Sequence, residues 1–319
     1  MANIKDLAKM ANVSVTTVSR VLNHHPYVSK EKREAVWEAV KQSNYQKNIN
    51  AVHLSTGKTH LIGVVLPYSN HPYFGLLLDG IAQEAVKNNY SLVLIQTNYE
   101  EEREIKALDM LKHKQIDALI ICSRICSWST TYSYLEYGKI VFCEDTRQHP
   151  FSSTFVDHYT SFETALTHLY NKGHEKIGYC IGRKQGSNSI NRANAYRDFL
   201  TKNQLPYRHD YIFDQCLFLQ DGEKVMKQMK EMKEPPAALL VTSDQVAAGI
   251  ATYCQNNNIV IPHELAIMGF DNDPISKVMG ITTMEIPLVE MGKHLFIQSI
   301  QDEITYKEMG VSLIERNTV

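Results

Sequence analysis

Apolar positions along this chain follow two different rhythms. Near the start, Ile4, Leu7, Ala8 and Ala11 recur at i, i+3, i+4 and i+7, the spacing of one face of a short helix. Asn12-Val13-Ser14 interrupts that face; the Ser14 hydroxyl suits an N-cap, and Val15, Val18 and Leu22 predict the inner side of a second helix. A third helix is expected after Ser29, with Ala35, Val36, Ala39 and Val40 inward. Helices joined by so few residues cross steeply, and small Ala8 stands where the second approaches the first. The second helix then exposes Thr16, Thr17, Ser19 and Arg20: short hydrogen-bonding side chains and one guanidinium, suited to base edges or phosphates.

From residue 61 the rhythm changes. Apolar runs at 61–66, 91–96, 118–122, 140–143, 177–181, 238–242 and 265–269 alternate with helical stretches and read as buried strands. Such alternation implies parallel sheets covered on both faces, and so many units in the remaining length predict two doubly wound subdomains. The fold class expected is a small all-α helix-turn-helix head on an α/β body. Residues 46–58 are polar around a single Leu54 and read as a linker.

Composition narrows the function. With 319 residues, 44% hydrophobic and 21% charged, the chain is an ordinary folded protein, not a disordered or collagen-like one. No run approaches a membrane span, and residues 1–9 lack a signal peptide's apolar core, so a cytoplasmic location is expected. The six cysteines are scattered without zinc-site spacing and read as reduced thiols; neither metal nor cofactor is expected. The net charge of −2 conceals an asymmetry: residues 1–58 hold nine Lys/Arg against four acids, leaving the remainder net negative. A basic head on an acidic body fits a polyanion-binding unit fused to a unit for another ligand.

Ligands of doubly wound sheets bind beyond the carboxyl ends of the strands. There the sequence offers Tyr73 and Phe74 opening a helix, Trp128, Glu144, Arg192 and Asp271, aromatic faces with a few charged groups that suit a polyhydroxylated ligand. Asp244 reads instead as a helix N-cap. Gly178, Gly182 and Gly186 are spaced four apart and do not make a dinucleotide-binding turn.

The run from Ile4 to Ala8, then Asn12 to Asn23, then Val28-Ser29 and Arg33, resembles the head of the LacI/GalR family of bacterial regulators, and the similarity extends along the body. The resemblance implies that the second helix enters the major groove with Val15, Thr16 and Arg20 on bases, Thr17 and Ser19 on phosphates, and Ser14 and Asn23 at its ends. It implies that Leu54 wedges into the minor groove from a hinge helix formed on DNA. In the body it assigns Arg192 and Asp271 to effector contact, with Tyr73 and Phe74 as pocket aromatics. The implied domains are 1–46, a hinge at 47–58, and an effector-binding and dimerisation domain at 59–319. That domain divides into subdomains of about 59–158 plus 288–310 and 159–287 plus 311–319. The expectation is a homodimeric repressor on a pseudo-palindromic operator, without the tetramer-forming tail of some relatives. A sugar is the expected effector, a maltose-type oligosaccharide first because Trp128 offers a further stacking face, and a purine second. The alternatives are a sugar-binding module without a DNA-binding role, or an enzyme on the same fold.

Overall fold

The computed structural model describes residues 2–45 and 57–319. Leu54, and with it the expected hinge, lies outside the described residues. The chain divides into two compact units, Met1–Lys58 and Thr59–Val319.

The head is built from α1 (Ile4–Met10), α2 (Val15–Leu22) and α3 (Lys30–Ser43). Asn3 and Asp6 form a reciprocal cap on α1, and the Ser14 hydroxyl accepts from the Thr17 amide, 3.1 Å away, to start α2. Between them Asn12 takes the left-handed conformation, φ 49°, which an asparagine tolerates. Leu7, Ala8, Val18, Val21, Val36 and Ala39 form the core. One expectation fails here: Val15 is 41% exposed, and Val21 is buried instead. Val15 is the first residue of α2, where a side chain tilts back beyond the helix crossing.

In the body, β1 (Leu61–Leu66), β2 (Ser91–Gln96), β3 (Ala118–Ile121), β4 (Lys139–Phe142) and β5 (Ser152–Phe155) belong to one sheet. β6 (Ile177–Cys180), β7 (Ile212–Phe213), β8 (Ala238–Val241), β9 (Ala266–Asp271) and β10 (Thr282–Glu285) belong to a second. The chain then returns: β11 (Tyr306–Glu308) joins the first sheet beside β5, and β12 (Ser312–Ile314) joins the second, antiparallel to β10. The strand orders are β11-β5-β4-β3-β1-β2 and β12-β10-β9-β8-β6-β7, so the two lobes repeat one topology.

Burial on both faces explains why β1 and β3 are apolar throughout. Ile62, Val64 and Leu66 face one core while Val65 faces another; Ala118 and Ile120 alternate in the same way with Leu119 and Ile121. The helices divide between the two faces. After β1, α4 (Pro72–Lys87) packs through Phe74, Leu77 and Ile81 on the inner core. After β2, α5 (Glu101–Lys112) packs through Ala107, Leu108 and Leu111 on the outer one. The chain leaving β3 also turns outward, to α6 (Trp128–Tyr132). The crevice therefore opens between β1 and β3, where consecutive connections diverge. In the second lobe α8 (Ser187–Lys202) follows β6 to the inner core, whereas α10 (Asp244–Asn256) follows β8 outward. Between the lobes' strands run α7 (His158–Asn171), α9 (Leu219–Glu231) and α11 (Pro274–Met279); α12 (Leu288–Ile300) returns to pack on α4. Among the described residues no helix is long and apolar enough to cross a membrane.

Candidate functional site

The head presents the α2 surface named above. Thr16 and Arg20 are exposed, Thr17 and Ser19 half-buried, and Asn23 is the exposed C-cap. Ser14 is committed to capping: besides the Thr17 amide it meets the Thr17 hydroxyl at 2.9 Å.

In the body, one cleft collects the carboxyl ends of both sheets. Its first wall carries His71, Tyr73 and Phe74 beyond β1, Tyr99 beyond β2, Ser123 and Arg124 beyond β3, and Glu144 beyond β4. Its second wall carries Arg183, Ser187, Asn188, Ser189 and Arg192 beyond β6, Thr242 and Ser243 beyond β8, and Asp271 at the end of β9. Tyr73, Phe74, Glu144, Arg192 and Asp271 thus come together, as expected of one binding site.

Trp128 does not join them. Its ring stacks on His149, centroids 3.8 Å apart, and meets Phe142 and Phe151 in the outer core of the first lobe. The divergence of the chain after β3 carries α6 away from the crevice, so the expectation that Trp128 stacks on the ligand is corrected. It touches the cleft indirectly, because the Arg124 guanidinium lies 3.8 Å over its ring. Asp244 also departs from its expected role. Ser243 holds the N-cap position of α10, and the fully buried Asp244 carboxylate accepts from the Thr283 hydroxyl at 2.8 Å and the Asp273 amide at 2.9 Å. It ties the end of β8 to β10 and to the loop after β9.

The polar groups of the cleft are held unequally. Arg124 Nε donates to Glu144 at 2.6 Å, and the Ser187 hydroxyl donates to the other Glu144 oxygen at 2.5 Å. Arg183 lies 4.3 Å over the Tyr99 ring and donates to the Ser123 hydroxyl and the Arg124 carbonyl. Arg192 Nη2 meets His158 Nδ1 at 3.1 Å; a guanidinium can only donate, so Nδ1 accepts. Burial, reinforced by the Arg192 charge, pushes His158 well below the ordinary imidazole value, which keeps it neutral and able to accept. Burial likewise lowers His71 and Arg192. Burial first, then the Asp244 charge, raises Asp271 well above the usual carboxylate range, against the opposing pull of Arg192. Two buried atoms of cleft-lining residues, Arg192 Nε and the Ser243 hydroxyl, have no partner among the described residues, whereas buried polar atoms are normally paired. Arg124 and Arg183 escaped the sequence reading, although each follows a strand end, the signal that picked out Glu144 and Arg192.

A family model described as "Bacterial regulatory proteins, lacI family" matches residues 3–48, and one described as "Periplasmic binding proteins and sugar binding domain of LacI family" matches residues 59–304. The HTH-type transcriptional regulator YkvZ of Bacillus subtilis is 43% identical over 100% of both chains. A LacI family regulator from Lactobacillus casei, crystallised with bound glucose, superposes with a TM-score of 0.74 at 25% identity, covering 81% of this chain and 99% of its own. The lac repressor dimer bound to operator shares the fold over 99% of this chain and 98% of its own, with a TM-score of 0.83 at 23% identity.

Proposed function

The chain belongs to the LacI family of bacterial regulatory proteins, as a DNA-binding transcriptional regulator with an effector-binding domain, and from that premise we propose a cytoplasmic homodimeric repressor controlled by a sugar held between its lobes. The observation that carries the reading is the cleft itself: Tyr73 and Phe74 line it together with Arg192, Ser243 and Asp271, two of which have buried polar atoms without a partner among the described residues. Rings facing the apolar side of a pyranose and polar groups facing its hydroxyls are the chemistry of saccharide recognition. The similar regulator from Lactobacillus casei has been crystallised with glucose and with sucrose. The case for a maltose-type oligosaccharide rested on Trp128, whose ring packs elsewhere, so a smaller saccharide is the favoured effector. Val15, Thr16 and Arg20 are the proposed base-reading residues, Thr17 and Ser19 the proposed phosphate contacts, and Leu54 the proposed minor-groove wedge. Two heads of a dimer would read two half-sites of a pseudo-palindrome. Selecting DNA from a random pool with the full chain tests the first half: a two-fold symmetric site should emerge, and enrichment without symmetry would count against the dimer. Calorimetry against sugars and hypoxanthine tests the second, where binding of hypoxanthine alone would move the effector to the purines.

A further inference from the structure

We propose that the effector is an anionic sugar whose phosphate or carboxylate sits on the first turn of α8, between Arg183 and Arg192. The inference deepens the sugar reading above and rests on it.

Three guanidinium groups, Arg124, Arg183 and Arg192, face the cleft against two carboxyl groups, Glu144 and Asp271. Glu144 neutralises Arg124 at 2.6 Å. Burial pushes the Asp271 carboxyl above the usual carboxylate range, against the pull of Arg192. Among the described residues, neither Arg183 nor Arg192 has a carboxylate oxygen within 4.0 Å. Two guanidinium groups on one wall of the cleft are thus left without a carboxylate in contact. Sugar hydroxyls would satisfy their hydrogen bonds but not their charge, whereas an anion does both, and does so bidentately with a guanidinium.

The backbone of that wall favours the same chemistry. Gly186, the N-cap of α8, has φ 100° and no side chain to cap the helix. The amides of Ser187, Asn188 and Ser189 have no partner within a helix's own ladder, and none among the described residues reaches them. Glu144 takes the Ser187 hydroxyl, not its amide. Arg183 stands beside this turn: a methyl carbon on Gly186 would fall 2.8 Å from Arg183 Nη2. Arg192 lies one helical turn further, on the face shared by Asn188 and Ser189. Independently of the helix end, buried Arg192 Nε and the Ser243 hydroxyl, on a residue only 4% exposed, lack partners among the described residues and belong to residues that line this cleft. A helix start flanked by two guanidinium groups and an unmet donor is a built anion site.

The test is calorimetry on the full chain with glucose, fructose, galactose and ribose, their monophosphates, glucuronate, and inorganic phosphate. At least one anionic sugar should bind tenfold or more tightly than its neutral parent. Arg183→Gln should cut the affinity for the anionic sugar relative to that for its neutral parent by tenfold or more, whatever it does to both together, and Arg183→Lys should keep part of the difference. Gain with the monophosphates alone assigns a phosphate ester; gain with glucuronate alone assigns a carboxylate. A neutral sugar that binds as tightly as its anionic forms, or an advantage that survives Arg183→Gln, overturns the anion inference and leaves the sugar reading standing. Inorganic phosphate binding as tightly as every sugar phosphate supports the anion site and overturns the sugar reading. Binding by no member of the panel overturns both.

Discussion

The Glu144 carboxylate, rooted at the end of β4 in one lobe, accepts a hydrogen bond from the Ser187 hydroxyl at the start of α8 in the other, 2.5 Å away. Arg183 answers in the opposite direction, reaching from the second lobe to Ser123 and the Arg124 carbonyl of the first. The contacts that join the lobes and the lining of the proposed ligand site therefore share side chains, an arrangement through which a ligand could bias one lobe geometry over another.

Removing Arg124 tests how that tie is supported. The side chains of Arg124 and Glu144 are only 14% and 9% exposed, so Arg124→Ala strands a buried carboxylate. A loss of about 3 kcal/mol is expected in urea unfolding of the body. Arg124→Met combined with Glu144→Leu should recover most of it, and a double variant no better than the single one would deny the pair its structural role.

Gly80 and Gly292 let α4 and α12 approach backbone to backbone. A Cβ on Gly80 would lie 1.9 Å from the Val289 carbonyl oxygen, and one on Gly292 would lie 2.1 Å from that of Leu77. Backbone cannot yield as a side chain tip does, so Gly80→Ala should cost about 1 to 3 kcal/mol or more. An unchanged melting temperature would show that the helices part without penalty.

Asp244 gives stability a pH dependence. Burial raises its carboxyl from 3.8 to about 7, so the folded chain keeps a proton that the unfolded chain releases. Its contribution is most favourable below about pH 4, falls as pH rises towards 7, and is level above that. Asp271 acts in the same direction. Unfolding of Asp244→Asn followed from pH 4 to 8 should show a smaller decline than the parent chain, and parallel curves would contradict the assignment.

Arg20→Ala should weaken binding to the selected site by about 1 to 3 kcal/mol and relax its sequence preference. Leu54→Ala should reduce bending of the same DNA, read by electrophoretic mobility of permuted fragments. Affinity and bend unchanged in both variants would remove these residues from the interface.

Most strands were legible because burial on both faces makes them apolar, as Val64 and Val65 are, whereas buried β5 is polar at Ser152, Ser153 and Thr154 and escaped that pattern. β11 and β12 were not: each has three residues, and Tyr306, Lys307 and Glu308 are all exposed, so no burial pattern marks them. The same limit applies at the site. The rule that ligands gather at strand ends found Glu144, Arg192 and Asp271, but it does not say to which face a connection turns, which decided the fate of Trp128. Val15 shows a similar gap, since helical period gives the face of a residue but not whether another helix covers that turn.

The proposed function requires that a ligand in the cleft control the head. By linkage, such a ligand must change operator affinity, and operator must change ligand affinity by the same factor. The direct measurement is fluorescence anisotropy of the selected DNA site, with the full chain and with Arg192→Ala, in the presence and absence of the sugar that binds best by calorimetry. The account predicts a shift of about fivefold or more in the affinity of the parent chain, in the range of typical allosteric coupling, and none in Arg192→Ala, whose ligand-free DNA affinity stays near that of the parent. A ligand that fills the cleft of the parent chain and leaves its DNA affinity unchanged would contradict it.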